Sequence, residues 1–204
     1  MSDRTITRSG LLLGLASILV VAMVSLAYYL TRDAIEESEY QALLLALTSI
    51  VPEGSYDNDL VNDTKPLPAN KQLGLKKDAL VYRVRKNGKI VAAAFPLTAP
   101  DGYNGPVDML LAVDRQNRVL GMRVISHKET PGLGDRIESR RSDWADSFRG
   151  KSLGNPPQEK WKVKKDGGVF DQFTGATITP RIIINALRRA LLYVEAEPGV
   201  FFDE

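Results

Sequence analysis

Two loops of this chain place small and hydroxyl-bearing residues where a ligand could use them. Residues 129–134 read Glu129-Thr130-Pro131-Gly132-Leu133-Gly134, and a Gly102–Gly105 loop precedes them. Glycines on both sides of Leu133 permit backbone shapes and close approaches that other residues forbid. A planar ligand packed against Leu133, with amide groups at its edge, needs that freedom; a tight surface turn uses the same residues. Residues 171–177 read Asp171-Gln172-Phe173-Thr174-Gly175-Ala176-Thr177, directly ahead of Thr179-Pro180. A threonine followed by proline reads as an N-cap and the first position of a helix. Free amides and the positive helix end would then lie beside Thr177 and Thr179, a natural seat for a phosphate. The plainer reading makes Thr179 a cap and Thr177 an ordinary loop residue.

Composition removes most competing chemistries. Cysteine is absent and histidine occurs once, at His127. Disulfide scaffolds, zinc fingers, cysteine-ligated iron–sulfur clusters and Cys/His nucleophilic catalysis are excluded, so any redox group must be borrowed. Neither GxxxxGK[ST], GxGxxG nor HExxH is present. His127 shows no orienting partner in the sequence and reads as structural. Lys+Arg 27 against Asp+Glu 25 leaves a net charge of +2, too even for a nucleic-acid binder. Lys160, Lys162, Lys164 and Lys165 alternate around Trp161 and Val163, as on the exposed side of a strand. Glu138 and Asp143 sit among Arg136, Arg140 and Arg141, a solvated, salt-bridged face.

The elements that must carry these loops are legible as periodicity. Ala79–Arg85, the Asn87-Gly88 turn and Ile90–Leu97 predict one hairpin; Val107–Asp114 and Val119–Ser126 predict a second. Met109, Leu111 and Val113 alternate as in a half-buried sheet. Asp135–Arg149 reads as a helix with Ile137, Trp144 and Phe148 inward, and Trp161–Lys165 as a strand. The last helix shows Ile183, Leu187, Ala190, Leu191 and Val194 as an apolar stripe. Residues 53–77 read as an extended loop. Four strands with helices at both ends make an α+β domain.

Ahead of this domain, Ser9–Thr31 carries no charge. Gly10–Leu30 as a helix would cover about 31 Å at roughly 1.5 Å per residue, matching a hydrocarbon core of about 30 Å. Arg4 and Arg8 precede the span, whereas Asp33, Glu36, Glu37 and Glu39 follow it with only Arg32 as a cation. This predicts a single-pass anchor with a cytoplasmic N-terminus and the bulk of the chain outside. A cleaved signal peptide ending near Ser25-Leu26-Ala27 is the alternative. The resulting division is a tail at 1–8, a membrane helix at 9–31, a juxtamembrane helix and loop at 32–78, and a domain at 79–204. Pro52 should stop the juxtamembrane helix.

DQFTGAT, with ITP and an amphipathic helix behind it, resembles the covalent flavinylation motif D-x-x-[S/T]-G-A-T of FMN-binding domains. The HKETPGLGDRI stretch, the Gly102-Tyr103 loop and the single N-terminal span resemble the same group. Over essentially the entire chain the resemblance is to the G subunits of Rnf (Rsx) ion-translocating electron-transport complexes. The C subunit of the sodium-translocating NADH:quinone reductase carries a similar motif on a usually longer chain. The resemblance implies that FMN is esterified through its phosphate to Thr177, installed from FAD by a Mg²⁺-dependent flavin transferase. It implies Thr130, Leu133 and Gly134 near the isoalloxazine, Gly175 and Ala176 giving room around the ester, and Thr174 and Asp171 as motif residues. It further implies a non-catalytic electron-relay subunit in the bacterial inner membrane, with its domain periplasmic. Its partners would be the other Rnf subunits, the transferase and membrane lipid, and no nucleic acid. A flavin-free periplasmic interaction module, with TGAT as a mere cap, is the reading from another class.

Overall fold

A computed structural model describes residues 2–203, with side chains from residue 7 onward. Arg4, one of the two arginines used to orient the span, therefore lies outside the described side chains. The chain divides into two units between Ala42 and Leu43. The first is helical and apolar. Helix α1 (Ser2–Ile50) continues past the apolar span without a break. An 18-residue window within Thr7–Ile50 reaches a mean hydropathy of 2.5 and has none of its side chains buried, so the helix is long and apolar enough to cross a membrane. Beyond the apolar stretch, Arg32–Glu36 (3.1 Å) and Gln41–Glu37 (2.8 Å) link successive turns. The juxtamembrane stretch is thus part of α1, which ends just before Pro52.

The second unit is built on a five-stranded antiparallel meander. Its strands, in spatial and chain order, are β1 (Thr64–Leu67), β2 (Ala79–Lys86), β3 (Lys89–Ala99), β4 (Val107–Asp114) and β5 (Val119–Ser126). Both hairpins appear as expected. Asn87 and Gly88 hold φ of 52° and 75°, the left-handed pair that a two-residue hairpin turn requires. The fifth strand, β1, falls inside the stretch read as loop, where Pro66 hides the signal. At the sheet edge, proline costs no ladder bond, and Pro66 pairs with Leu80 there.

The sheet is covered on both faces rather than half-buried. One face carries Phe95, Leu97, Met109, Leu111 and Val113 beneath α2 (Ile178–Ala196) and α3 (Pro198–Phe202). The opposite face carries Ala92, Ala94, Leu110 and Ala112 beneath Ala46, Leu47 and Ile50, the C-terminal turns of α1. Small residues allow that close approach. A Cβ at Gly121 would stand 2.7 Å from the Ile50 carbonyl oxygen.

Between β5 and α2 the chain is irregular. The expected helix over 135–149 resolves into 3₁₀ turns at Gly134–Ile137 and Asp143–Phe148. Ser142 divides them: its hydroxyl donates to Arg136 O (2.6 Å) and accepts from Trp144 N (3.3 Å). The expected strand at 161–165 is absent as well. Trp161 and Val163 are buried and the lysines exposed, but only a single bridge, Val163 to Phe170, forms. Aromatic packing holds this region in place of a ladder. Phe148 stacks on Phe170 (4.6 Å between centroids), Trp161 packs on Phe170 (5.1 Å), and Trp144 meets Phe148 edge-on (5.0 Å).

Candidate functional site

Helix α2 starts two residues earlier than expected, at Ile178 rather than Pro180, and this changes the role of two threonines. Thr177 occupies the N-cap position and its side chain makes no capping bond. Thr179 is not a cap. It lies inside the first turn, 1% exposed, and its hydroxyl donates to the Glu129 carboxylate. The expected stripe of Ile183, Leu187, Ala190, Leu191 and Val194 is buried and anchors the helix on the sheet.

The loop ahead of α2 is a tight turn. Ala176 N donates to Phe173 O (3.1 Å), and Gly175 adopts φ +83°, a conformation that penalises any side chain. Phe173 is buried against Trp144, 5.3 Å between ring centroids, while the Trp144 indole N–H donates to Asp171 O (2.8 Å). Asp171 also pairs with Lys164 (2.6 Å). The threonine-bearing turn is therefore fixed from behind by aromatic packing, leaving its small residues at the surface.

The 129–134 loop closes on itself through Thr130 O, which accepts from Leu133 N (3.1 Å) and Gly134 N (3.0 Å). Asp135, 4% exposed, accepts Gly132 N–H at 2.8 Å and so props the loop from below. This projects Leu133 outward, 44% exposed. A Cβ on Gly175 would lie 3.3 Å from Leu133 Cδ2, so the two glycine loops meet there.

Between them lies a cavity of about 350 Å³, within the size range of small-ligand sites. Thr130, Leu133, Gly134, Gly175, Ala176 and Thr177 line it, together with Tyr103, Glu129, Ile178 and Thr179. Of the sequence-derived candidates, the motif residues Thr174 and Asp171 are outside the lining, and both are exposed. Glu129 and Ile178 are lining residues that sequence reasoning misses; an acid in a polar loop carries no distinguishing signal. Tyr103, Leu133 and Ile178 make an apolar rim, and the first turn of α2 supplies backbone amides without helical acceptors.

His127 does have a partner, contrary to the sequence reading. Its Nε2 lies 2.8 Å from Glu138 Oε1, and its Nδ1 accepts Glu129 N–H at 3.1 Å. An accepting Nδ1 assigns the proton to Nε2, which donates to Glu138. His127 is thus a brace for the backbone at Glu129. The Arg140 guanidinium, and secondarily His127, hold the Glu138 carboxyl below its ordinary range.

This geometry coincides with what the chain is similar to. Residues 102–192 match the FMN-binding domain family, and residues 1–50 match the RnfG N-terminal region. A Pseudomonas aeruginosa (strain UCBPP-PA14) protein, named as the G subunit of an ion-translocating oxidoreductase complex, is 46% identical over 193 residues, 95% of this chain and 90% of its own. Proteins of the same name from Pseudoalteromonas atlantica and Photorhabdus laumondii are 42% and 43% identical, over 97% and 95% of this chain and 92% of each relative. The chain belongs to the G-subunit family of ion-translocating oxidoreductase complexes.

Within this family member, the FMN-binding match begins at Gly102 and contains all three segments that line the cavity. The residues present fit FMN. The apolar rim suits a planar ring, hydroxyls at Thr130 and Thr177 suit its polar edge and phosphate, and the amides of the first α2 turn face an anion favourably. A side chain at Gly175 would crowd Leu133 at the meeting point of the two loops.

Proposed function

We propose that this chain relays electrons through FMN esterified to Thr177, as one subunit of an Rnf complex coupling ferredoxin/NAD redox chemistry to ion movement. The observation that carries this reading is the position of Thr177. Its half-buried hydroxyl lines the cavity at the N-terminus of α2 and is not consumed as a cap. Attachment would proceed from FAD and Mg²⁺ on a flavin transferase. The Thr177 oxygen bonds to the flavin-side phosphorus, the phosphoanhydride bond breaks, AMP leaves with the electron pair, and the hydroxyl proton passes to a base of the transferase. When bound, FMN supplies the electron chemistry, and the protein supplies position and electrostatics.

The chain's own residues have defined tasks in this scheme. Thr130, Leu133 and Gly134 form the wall for the ring; Gly175 and Ala176 leave space beside the ester; Thr174 and Asp171 present the turn to the transferase. A covalent link keeps the cofactor from being lost on the periplasmic side. In the proposed topology residues 1–8 are cytoplasmic, 9–31 cross the inner membrane among its lipids, and the domain is periplasmic, facing other Rnf subunits. The charge bias across the span supports that orientation: Arg4 and Arg8 before it, and after it Arg32 alone against Asp33, Glu36, Glu37 and Glu39.

One preparation tests both halves of the reading. The full chain, co-expressed with a flavin transferase and fused at its C-terminus to a reporter active only in the periplasm, should show reporter activity. After denaturation in detergent, flavin fluorescence should migrate with the chain. Activity of a cytoplasm-only reporter at the same site would reverse the topology. Release of all flavin on denaturation would leave a non-covalent FMN protein and overturn the ester.

A further inference from the structure

The acid in the pocket wall is built in too firmly for an incidental loop residue. Glu129 is 5% exposed, yet it lines the cavity. Its Oε2 accepts the Thr179 hydroxyl across fifty residues of chain, and its Oε1 accepts Asn104 N–H at 3.4 Å. Both oxygens act as acceptors, the pattern of an ionised carboxylate. Its own N–H is braced by His127.

Two glycines are shaped around it. A Cβ at Gly102 would come within 2.9 Å of Oε1, and one at Gly134 within 2.9 Å of Oε2. Among the described residues, no lysine or arginine forms an ion pair with Glu129. The pocket wall therefore carries a negative charge that hydrogen bonds disperse but no cation cancels. Reduction adds negative charge to a bound flavin, and in a poorly solvated site a fixed anion nearby opposes it.

We infer that Glu129 is a positioning residue that ties the 129–134 loop to the first turn of α2 and, as a fixed anion in the pocket wall, holds the reduction potential of the flavin down. The inference rests on the proposed FMN at Thr177 and adds a tuning role to that site.

The test compares wild type, Glu129→Gln and Thr179→Ser as full chains loaded by the transferase, reading covalent flavin per chain and midpoint potential. Glutamine keeps the shape and an acceptor for Thr179 but removes the charge; serine at 179 keeps the donor. The flavin attached to Glu129→Gln should show an upward shift in potential, whereas that attached to Thr179→Ser, which keeps both the charge and the hydrogen bond, should not. An unchanged potential in a labelled Glu129→Gln chain would overturn the inference. So would a folded Glu129→Gln chain that takes up no flavin, because that would put Glu129 in loading rather than tuning. If the glutamine variant does not fold, Glu129→Met, similar in length and uncharged, must show the same upward shift. Absence of covalent flavin from wild type would instead refute the Thr177 assignment, so the two failures are distinct.

Discussion

Thr177→Ala is expected to leave a chain that inserts and folds but shows no flavin fluorescence after denaturing electrophoresis. The loss should be complete, because in the proposed ester one oxygen carries the whole attachment. The fold should survive because that oxygen does little structural work. Thr177 makes no capping bond and is only half-buried, so its removal orphans no buried partner. Such a change costs within about 1 kcal/mol. Thr177→Ser keeps a hydroxyl and should retain labelling. Thr174→Ala, outside the cavity, tests the motif turn and should at most weaken labelling. Thermal unfolding beside in-gel fluorescence separates the cases: fluorescence lost without a change in midpoint indicates the attachment atom. Persistent fluorescence in Thr177→Ala would move the ester elsewhere.

Trp161→Ala is expected to produce the largest loss of stability. The indole is 0% exposed, packs on Phe170 and Phe148, and donates to Ser152 O (3.1 Å) and Pro156 O (3.2 Å). Truncating a buried tryptophan costs about 3–5 kcal/mol. For a domain of this size that lowers the melting midpoint by roughly 10 °C. The site should feel it as well, because the same aromatic cluster reaches Phe173 and the Asp171 carbonyl through Trp144. Covalent labelling per folded chain should therefore fall, whereas Trp161→Phe should recover most of both. A melting midpoint within about 2 °C of wild type, which corresponds to under about 1 kcal/mol, would show that the cluster does not support this region.

Why some parts of this molecule are legible in its sequence and others are not follows from what each part depends on. The two hairpins are local, so Asn87-Gly88 and the alternating strands announce them. The stripe on α2 is likewise a local period. Strand β1 depends on a partner beyond an intervening loop and contains a proline that edge pairing alone tolerates. The 135–173 segment has the inward residues expected of a helix and a strand, because Ile137, Trp144, Phe148, Trp161 and Val163 are all buried. Its backbone follows Ser142 and the aromatic contacts instead, which no period encodes. Coverage of the second sheet face is written in Ala92, Ala94, Ala112 and Gly121, but small residues reveal nothing until the approaching helix is known.

The candidate site divides along the same line. Glycine and threonine spacing marks both loops, since backbone freedom and hydroxyls are local properties. That the loops meet at Gly175 and Leu133 is a tertiary fact. So is the exchange of roles at the start of α2, where a two-residue shift turns Thr179 from a cap into the donor to Glu129 and leaves Thr177 at the cap position without a capping bond. The acid at 129 acquires meaning only when Gly102 and Gly134 close around it.

The most direct measurement of the central claim is the mass of the tryptic fragment Asp166–Arg181 from denatured, transferase-loaded protein. The account predicts an increment of FMN less one water, with fragmentation placing it on Thr177 rather than Thr174 or Thr179. An unmodified fragment, or the increment on either neighbouring threonine, would contradict it.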